Sequence, residues 1–171
     1  DPRTLIVQLA NDKVSQGGGY AVTVAKPPTA AELNKAPQAP EQIRREFTAL
    51  PEAPPGVAAM LAKAPEKPLF LRLQYVRQAL YSHVVAAGAG KPSDVTPAEV
   101  DAMLAGGDAT PYQIVAAEVM TARWAGVPSR MGFCFTGGSL LSQGKGRSYR
   151  PRAGAPWLEA YLAGIGRVLV L

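Results

Sequence analysis

The stretch 111–124, PYQIVAAEVMTARW, constrains the fold more than any other part of the chain. It opens on a helix-start pattern, with Thr110 as N-cap, Pro111 at the first helical position and Gln113 placed to close a capping box. Gln113, Glu118 and Arg123 interrupt a surface that is otherwise apolar nearly all round. Such a helix has no polar face to give to water, so it belongs at the centre of a domain with layers on either side. The residues that follow supply one layer. Over 130–135, Met131, Phe133 and Phe135 alternate with Gly132 and Cys134, which predicts a strand with two distinct faces. Further strands are expected over 157–162 and 167–171. The fold class is therefore α+β, helices packed on a small antiparallel sheet.

Upstream, Val57, Met60, Leu61 and Ala64 fall at helical spacing. A longer helix follows, whose stripe is Leu69, Leu73, Val76, Leu80 and Val84, with Arg72 and Arg77 off it. Thr96, Pro97 and Glu99 cap a short helix that stops at Gly106 and Gly107. The region 27–55 is punctuated by proline, with a capping box at Thr29 and Glu32 and a second short helix over 41–50. Residues 3–9 and 20–25 read as strands about a turn at Gly17, Gly18 and Gly19, forming a hairpin. That glycine triplet is no phosphate loop, because neither a Lys-Ser/Thr pair nor a long helix follows it. The expected organisation is a strand and Pro-rich extension over 1–55, packed on a core domain over 56–171.

A chain of 171 residues with 47% hydrophobic and 18% charged residues suits one domain with an appendage. No apolar run reaches the roughly 18 residues of a membrane span. One cysteine excludes an internal disulfide and a multi-cysteine metal site, and one histidine excludes a His-pair site. No cofactor or metal is expected. The net charge of +5 favours anionic neighbours such as lipid headgroups, wall polymers or acidic protein surfaces. No basic-aromatic motif supports nucleic acid as a partner. The Ala, Gly and Pro richness points to a GC-rich bacterial genome. Beginning at Asp1 and ending in RVLVL, the chain reads as a segment of a longer protein.

Two blocks carry a resemblance. In 110–135, Arg123, Gly126, Val127, Pro128, Ser129 and Arg130 follow a pattern Arg-x-x-Gly-Ile/Val-Pro-Ala/Ser-Arg. In 154–171, Trp157, Glu159, Tyr161, Gly164 and Gly166 follow His-Ala-Trp-x-Glu-x-Tyr with a Gly-x-Gly turn. Both blocks resemble the bacterial transglutaminase-like family, whose papain-like fold carries a Cys-His-Asp triad. The segments around YAVTV, PPTAAELNKAP and FTALPEAPPGVAAML are similar to what precedes the catalytic domain in membrane-anchored relatives. The resemblance implies an extracytoplasmic domain of a membrane-anchored protein. It also sets the triad positions at Pro111, Ala155 and Leu171. A cysteine nucleophile works as a thiolate made by an adjacent histidine, which a carboxylate or amide orients. Proline, alanine and leucine supply none of these groups. The expectation is a transglutaminase-like fold without transglutaminase chemistry.

Other residues have a functional reading and a structural one. Cys134 with His83 could form a relocated nucleophile and base, making an active cysteine peptidase or acyltransferase. Alternatively Cys134 is a strand cysteine acting as a small hydrophobe, and His83 a helix-end residue interacting with the last carbonyls. Trp157 and Glu159, sharing a strand face with Tyr161, could wall a ligand site with Tyr112, or Glu159 could pair an arginine such as Arg130. Lys145, Arg147, Arg150 and Arg152 around Tyr149 could dock phosphate or carboxylate groups, or form a solvated loop. The leading expectation is a catalytically inactive binding or scaffolding module of the bacterial cell envelope, with a protein or an anionic envelope component as partner.

Overall fold

The computed structural model describes residues 27–88, 94–135, 139–140, 147–148 and 154–170. The proposed hairpin over 3–9 and 20–25 lies outside them. Four helices come first: α1 (Ala30–Lys35), α2 (Glu41–Thr48), α3 (Pro55–Lys63) and α4 (Leu69–Tyr81). Then follow β1 (Val85–Ala86), α5 (Pro97–Leu104), β2 (Asp108–Ala109), α6 (Pro111–Trp124) and β3 (Ser129–Phe135). Strands β4 (Ser139–Leu140), β5 (Arg147–Ser148), β6 (Gly154–Leu162) and β7 (Gly166–Val170) complete the order.

The α+β class holds, and the apolar helix takes the central place. Helix α6 lies between α4 and an antiparallel sheet of order β3-β6-β7. It buries Ile114, Ala117, Val119 and Ala122, and the sheet answers with Leu158, Ala160 and Leu162. On the other flank α4 buries Phe70, Leu73, Val76 and Leu80. The stripe therefore begins at Phe70, not Leu69. Pro68 fixes the helix start so that Leu69 falls at its first position, only half buried. Val84 lies beyond the last turn.

Three helices start as the capping pattern predicts. Thr29 with Glu32, Thr96 with Glu99, and Thr110 with Gln113 each form the reciprocal box, satisfying backbone donors that a bare helix end leaves orphaned. Helix α2 ends at Thr48, before the predicted 50, because Ala49 and Leu50 lead into Pro51, which disfavours helical backbone at the residue before it. Strand β6 begins three residues before the predicted 157 and contains Pro156. Proline cannot donate to a ladder, and β7 pairs only from Leu158 onward. Pro156 thus sits where, among the described residues, β6 has a single neighbour. Strands β1 and β2 form a two-residue parallel pair, too short to leave a sequence period.

The hinge between α6 and β3 is a helix stop built from four hydrogen bonds. Gly126 takes positive φ of 80°, its N–H donates to Arg123 O at 2.9 Å, and Val127 N donates to Ala122 O at 2.9 Å. These two bonds are the Schellman pattern, closed by the buried Val127. Arg123 Nε donates to Ser129 O at 2.9 Å, and the Ser129 hydroxyl donates to Val119 O at 3.1 Å. Arg72, from α4, donates to Ala125 O at 3.0 Å and pins the same corner. The chain then reverses, so that β3 runs back along α6.

Candidate functional site

That reversal decides what meets what. Helix α6 is about 21 Å long and β3 about 23 Å at their standard rises, so the end of β3 returns to the level of Pro111. Phe135 pairs with Gly154 and Cys134 with Ala155, which brings the start of β6 to the same end. Strand β7 returns as well, its Val170 pairing with Leu158. The topology therefore gathers positions 111 and 155 at one end of the helix-sheet sandwich and directs β7 toward it. Leu171 itself is outside the described residues. Pro111 is exposed at the first position of α6, and Tyr112, half buried, follows it.

Alternation along β6 then separates the remaining residues. Leu158, Ala160 and Leu162 face the core, while Ala155, Trp157, Glu159 and Tyr161 take the opposite face. Arg130 and Gly132 are the cross-strand partners of Glu159 and Trp157 on that face. Arg130 Nε donates to Glu159 Oε2 at 2.7 Å, and Trp157 Nε1 donates to Glu159 Oε1 at 3.3 Å. Both carboxylate oxygens are thus engaged within the sheet, and the pair is largely shielded from water. Arg167 of β7 joins the group, its guanidinium 4.5 Å from the centre of the Phe47 ring on α2. Burial lowers the Arg167 pKa, Arg130 lowers it further, and Glu159 and Glu46 act against that shift. Tyr112 belongs to the helix layer and Trp157 to the sheet face turned from it, so the two do not form one wall.

Cys134 and His83 occupy different settings. Cys134 stands on β3 opposite Ala155. His83 follows the end of α4, exposed, with Nδ1 2.8 Å from Ala79 O. A carbonyl only accepts, so Nδ1 carries the proton there. The recess that His83 lines, about 330 Å³, is walled by α3, α4 and α5 residues such as Gly56, Tyr75 and Asp101. Of the basic loop, Arg147 lies on β5, with its Cα opposite Leu140 of β4. Lys145, Arg150 and Arg152 lie outside the described residues. The loop leaves from Phe135 and returns at Gly154, so both its roots are at the Pro111 end.

Sequence reasoning missed one charged group. Glu118, 2% exposed, pairs with Arg77 of α4, and Tyr81 Oη donates to Glu118 Oε2 at 3.4 Å. The Arg77 guanidinium lies 5.3 Å from the centre of the Tyr81 ring. Burial raises the Glu118 pKa above its ordinary 4.5, with Arg77 opposing. Burial also raises Tyr81, and the Glu118 charge adds to it. Glu118 interrupting an apolar helix was the visible signal, but its partner follows only from α4 packing on α6. Among the described residues no group of three or more His, Cys, Asp or Glu could hold a metal, and no helix is long and apolar enough to cross a membrane.

No family model matches the chain, and neither does any curated protein. Among solved structures, the chain is similar to the periplasmic domain of TgpA from Pseudomonas aeruginosa, at 23% identity and a TM-score of 0.59, over 77% of this chain and 47% of that one. The same domain bound to ethylmercury matches at 23% identity and a TM-score of 0.57, over 75% of this chain and 48% of that one. The likeness is one of fold, and the chain spans about half the length of the structures it matches.

Proposed function

We propose that this chain is a transglutaminase-like domain without catalytic activity, which serves as a binding or scaffolding module on the outer side of a bacterial cytoplasmic membrane. The observation that carries the proposal is the joint occupancy of one end of the fold. At the end of the fold where the resembled family has a nucleophile at a helix N-terminus and a base on a strand, this chain has Pro111 and Ala155. The residues shared with the family are engaged in holding the fold: Gly126 and Val127 in the helix stop, Arg123 and Ser129 across the hinge, Arg130 and Trp157 on Glu159. The fold likeness to a periplasmic domain of a transglutaminase-like protein supports the lineage and the extracytoplasmic placement. The binding surface we assign is the Pro111 end with its basic loop, which suits a protein partner or an anionic envelope component through arginine forks.

Two measurements test this on the intact chain. A thiol reagent at neutral pH reports on Cys134. Protection until unfolding is expected, whereas fast stoichiometric labelling, with turnover of peptide or acyl substrates lost in Cys134→Ser, would establish an active enzyme and sink the proposal. Binding to anionic vesicles or wall polymer should weaken with salt and fall when Lys145, Arg147, Arg150 and Arg152 are replaced together by glutamine. Binding that is indifferent to that replacement would remove the loop from the proposed surface.

A further inference from the structure

Helices α3, α4 and α5 pack on one another and leave a recess of about 330 Å³ between them, at the small end of the roughly 300–1,000 Å³ usual for ligand sites. Met60 and Leu104 give it apolar lining, and Ala59, Ala79 and Ala105 give it small walls. Four polar side chains line the same space, and they are sorted by charge. Asp101 and His83 are the acceptors. The Asp101 carboxylate lies against Gly56, where a Cβ would come within 2.5 Å of Oδ1 and 3.4 Å of Oδ2, so glycine is what lets it in. Oδ1 takes Val57 N at 3.1 Å, which ties α5 to the start of α3 and sets the carboxylate in place. His83 Nδ1 donates to Ala79 O at 2.8 Å, so Nε2 of the neutral ring is an acceptor. The His83 carbonyl lies 3.9 Å from where a Cβ at Gly106 would sit, which brings this residue to the end of α5. Lys63 is the donor. It stands at the opposite end of α3 from Gly56, about 10 Å away along the helix axis. Tyr75, half buried on α4, adds a hydroxyl that both donates and accepts.

We propose that this recess binds a short free peptide of small residues, with its ammonium on Asp101 and His83 and its carboxylate on Lys63. Three features select this ligand. The first is charge. A carboxylate at one end and an ammonium at the other match a zwitterion, and each repels one end of a purely anionic or purely cationic compound. The second is spacing. Extended chain rises about 3.3 Å per residue, so a dipeptide or tripeptide reaches between the two ends with the help of the flexible Lys63 stem, and a single amino acid does not. The third is the lining. Between the charged ends stand Ala59 and Ala79, which suit methyl-sized side chains, and Tyr75 offers its hydroxyl to the amides of the peptide. Asp101 also has a structural task in holding Val57 N, and the amide oxygen of an asparagine can perform that task without the charge. Neither Pro111 nor Ala155 lines the recess, so the site stands whether or not the domain is catalytic.

Trialanine titrated into the isotope-labelled intact chain, with amide shifts read by NMR, is the test. Saturable shifts are expected at Gly56, Ala79 and Ala105. Asp101→Asn keeps an oxygen for Val57 N and removes the charge, and it should weaken trialanine binding about tenfold or more. Lys63→Gln should do the same. Blocked peptides then separate the two ends. N-acetyl-trialanine should bind the wild type about tenfold more weakly or worse and be indifferent to Asp101→Asn, and trialanine amide should show the same relation to Lys63→Gln. A merely structural role for Asp101 would not produce that matching. An absence of shifts at millimolar trialanine would overturn the proposal. So would binding unchanged by both substitutions, or a blocked peptide that binds as well as the free one. If Asp101→Asn folds poorly, Lys63→Gln at an exposed position and the blocked peptides on the wild type decide the matter alone.

Discussion

Gly132 and Gly154 offer the same perturbation in two settings. A Cβ added at Gly132 would lie 2.3 Å from Trp157 Nε1 and 2.9 Å from both Trp157 Cε2 and Glu159 Oε1. A Cβ added at Gly154 would lie 2.5 Å from Phe133 Cζ. By distance alone the two clashes are alike, so the consequence rests on what can move. Phe133 is 67% exposed and can swing toward water at little cost. Trp157 is held by its bond to Glu159, whose other oxygen takes Arg130 at 2.7 Å. Displacing the indole therefore disturbs a charge-assisted bond worth about 1.5–3 kcal/mol. Overpacking of a fixed site costs about 1–3 kcal/mol, against about 0.4–1 kcal/mol gained by replacing glycine in the unfolded chain. Gly132→Ala should lose about 1–2 kcal/mol net, while Gly154→Ala should stay within about 0.5 kcal/mol of wild type. Urea unfolding at fixed pH measures both, and unchanged m-values license the comparison. Equal stabilities for the two variants, or a Gly132→Ala protein as stable as wild type, would refute the claim that the Arg130–Glu159–Trp157 group fixes this face.

Thr110→Ala removes the hydroxyl that accepts from Gln113 N at 3.3 Å and donates to Gln113 Oε1 at 3.0 Å; thermal or urea unfolding should register a loss of about 1 kcal/mol. Glu118 has a pH signature. Its folded pKa is raised above 4.5, so between the two values the folded state binds more protons than the unfolded, and stability contributed by this group falls as pH rises through that window. In Glu118→Gln that component of the pH profile should vanish, and an unchanged slope would show that Glu118 does not titrate as described.

The parts of the fold visible in the sequence were those with local causes. Caps at Thr29, Thr96 and Thr110 need only three or four residues, and the central helix announces itself through apolar residues on every side. The Arg130–Glu159 pair could be anticipated because cross-strand register follows once β3 and β6 are assigned. What escaped was decided at longer range. Pro156 reads as a strand breaker until the staggered start of β7 shows that β6 needs no donor there on that side. The Arg77–Glu118–Tyr81 group joins residues 37 to 41 positions apart, which no motif spacing could pair. Tyr112 and Trp157, placed together on the strength of their closeness to the triad positions, belong to the helix layer and to the sheet face turned away from it.

The residues of the helix stop and of the β6 face divide by physical role from those at the Pro111 end. Gly126 is required because the helix stop demands positive φ; Val127 fills the contact under that stop; Arg123 and Ser129 satisfy carbonyls across the hinge; Glu159 is held by Arg130 and Trp157. Replacing Gly126 strains the backbone at positive φ, and replacing the others exposes a polar group or opens a packed corner, at a cost of about 1–3 kcal/mol. Positions 111 and 155 have no comparable protection. Pro111 fits the first position of a helix, where the missing N–H would be unpaired in any case, and its helix start keeps both halves of the capping box. Ala155 sits at the end of β6 that, among the described residues, has one neighbour. We therefore expect the reverse experiment to be tolerated: Pro111→Cys with Ala155→His should fold with a stability within about 1 kcal/mol of wild type by urea unfolding, as substitutions away from packed features do. A loss several times larger would mean that Pro111 and Ala155 are structural parts of this end of the fold.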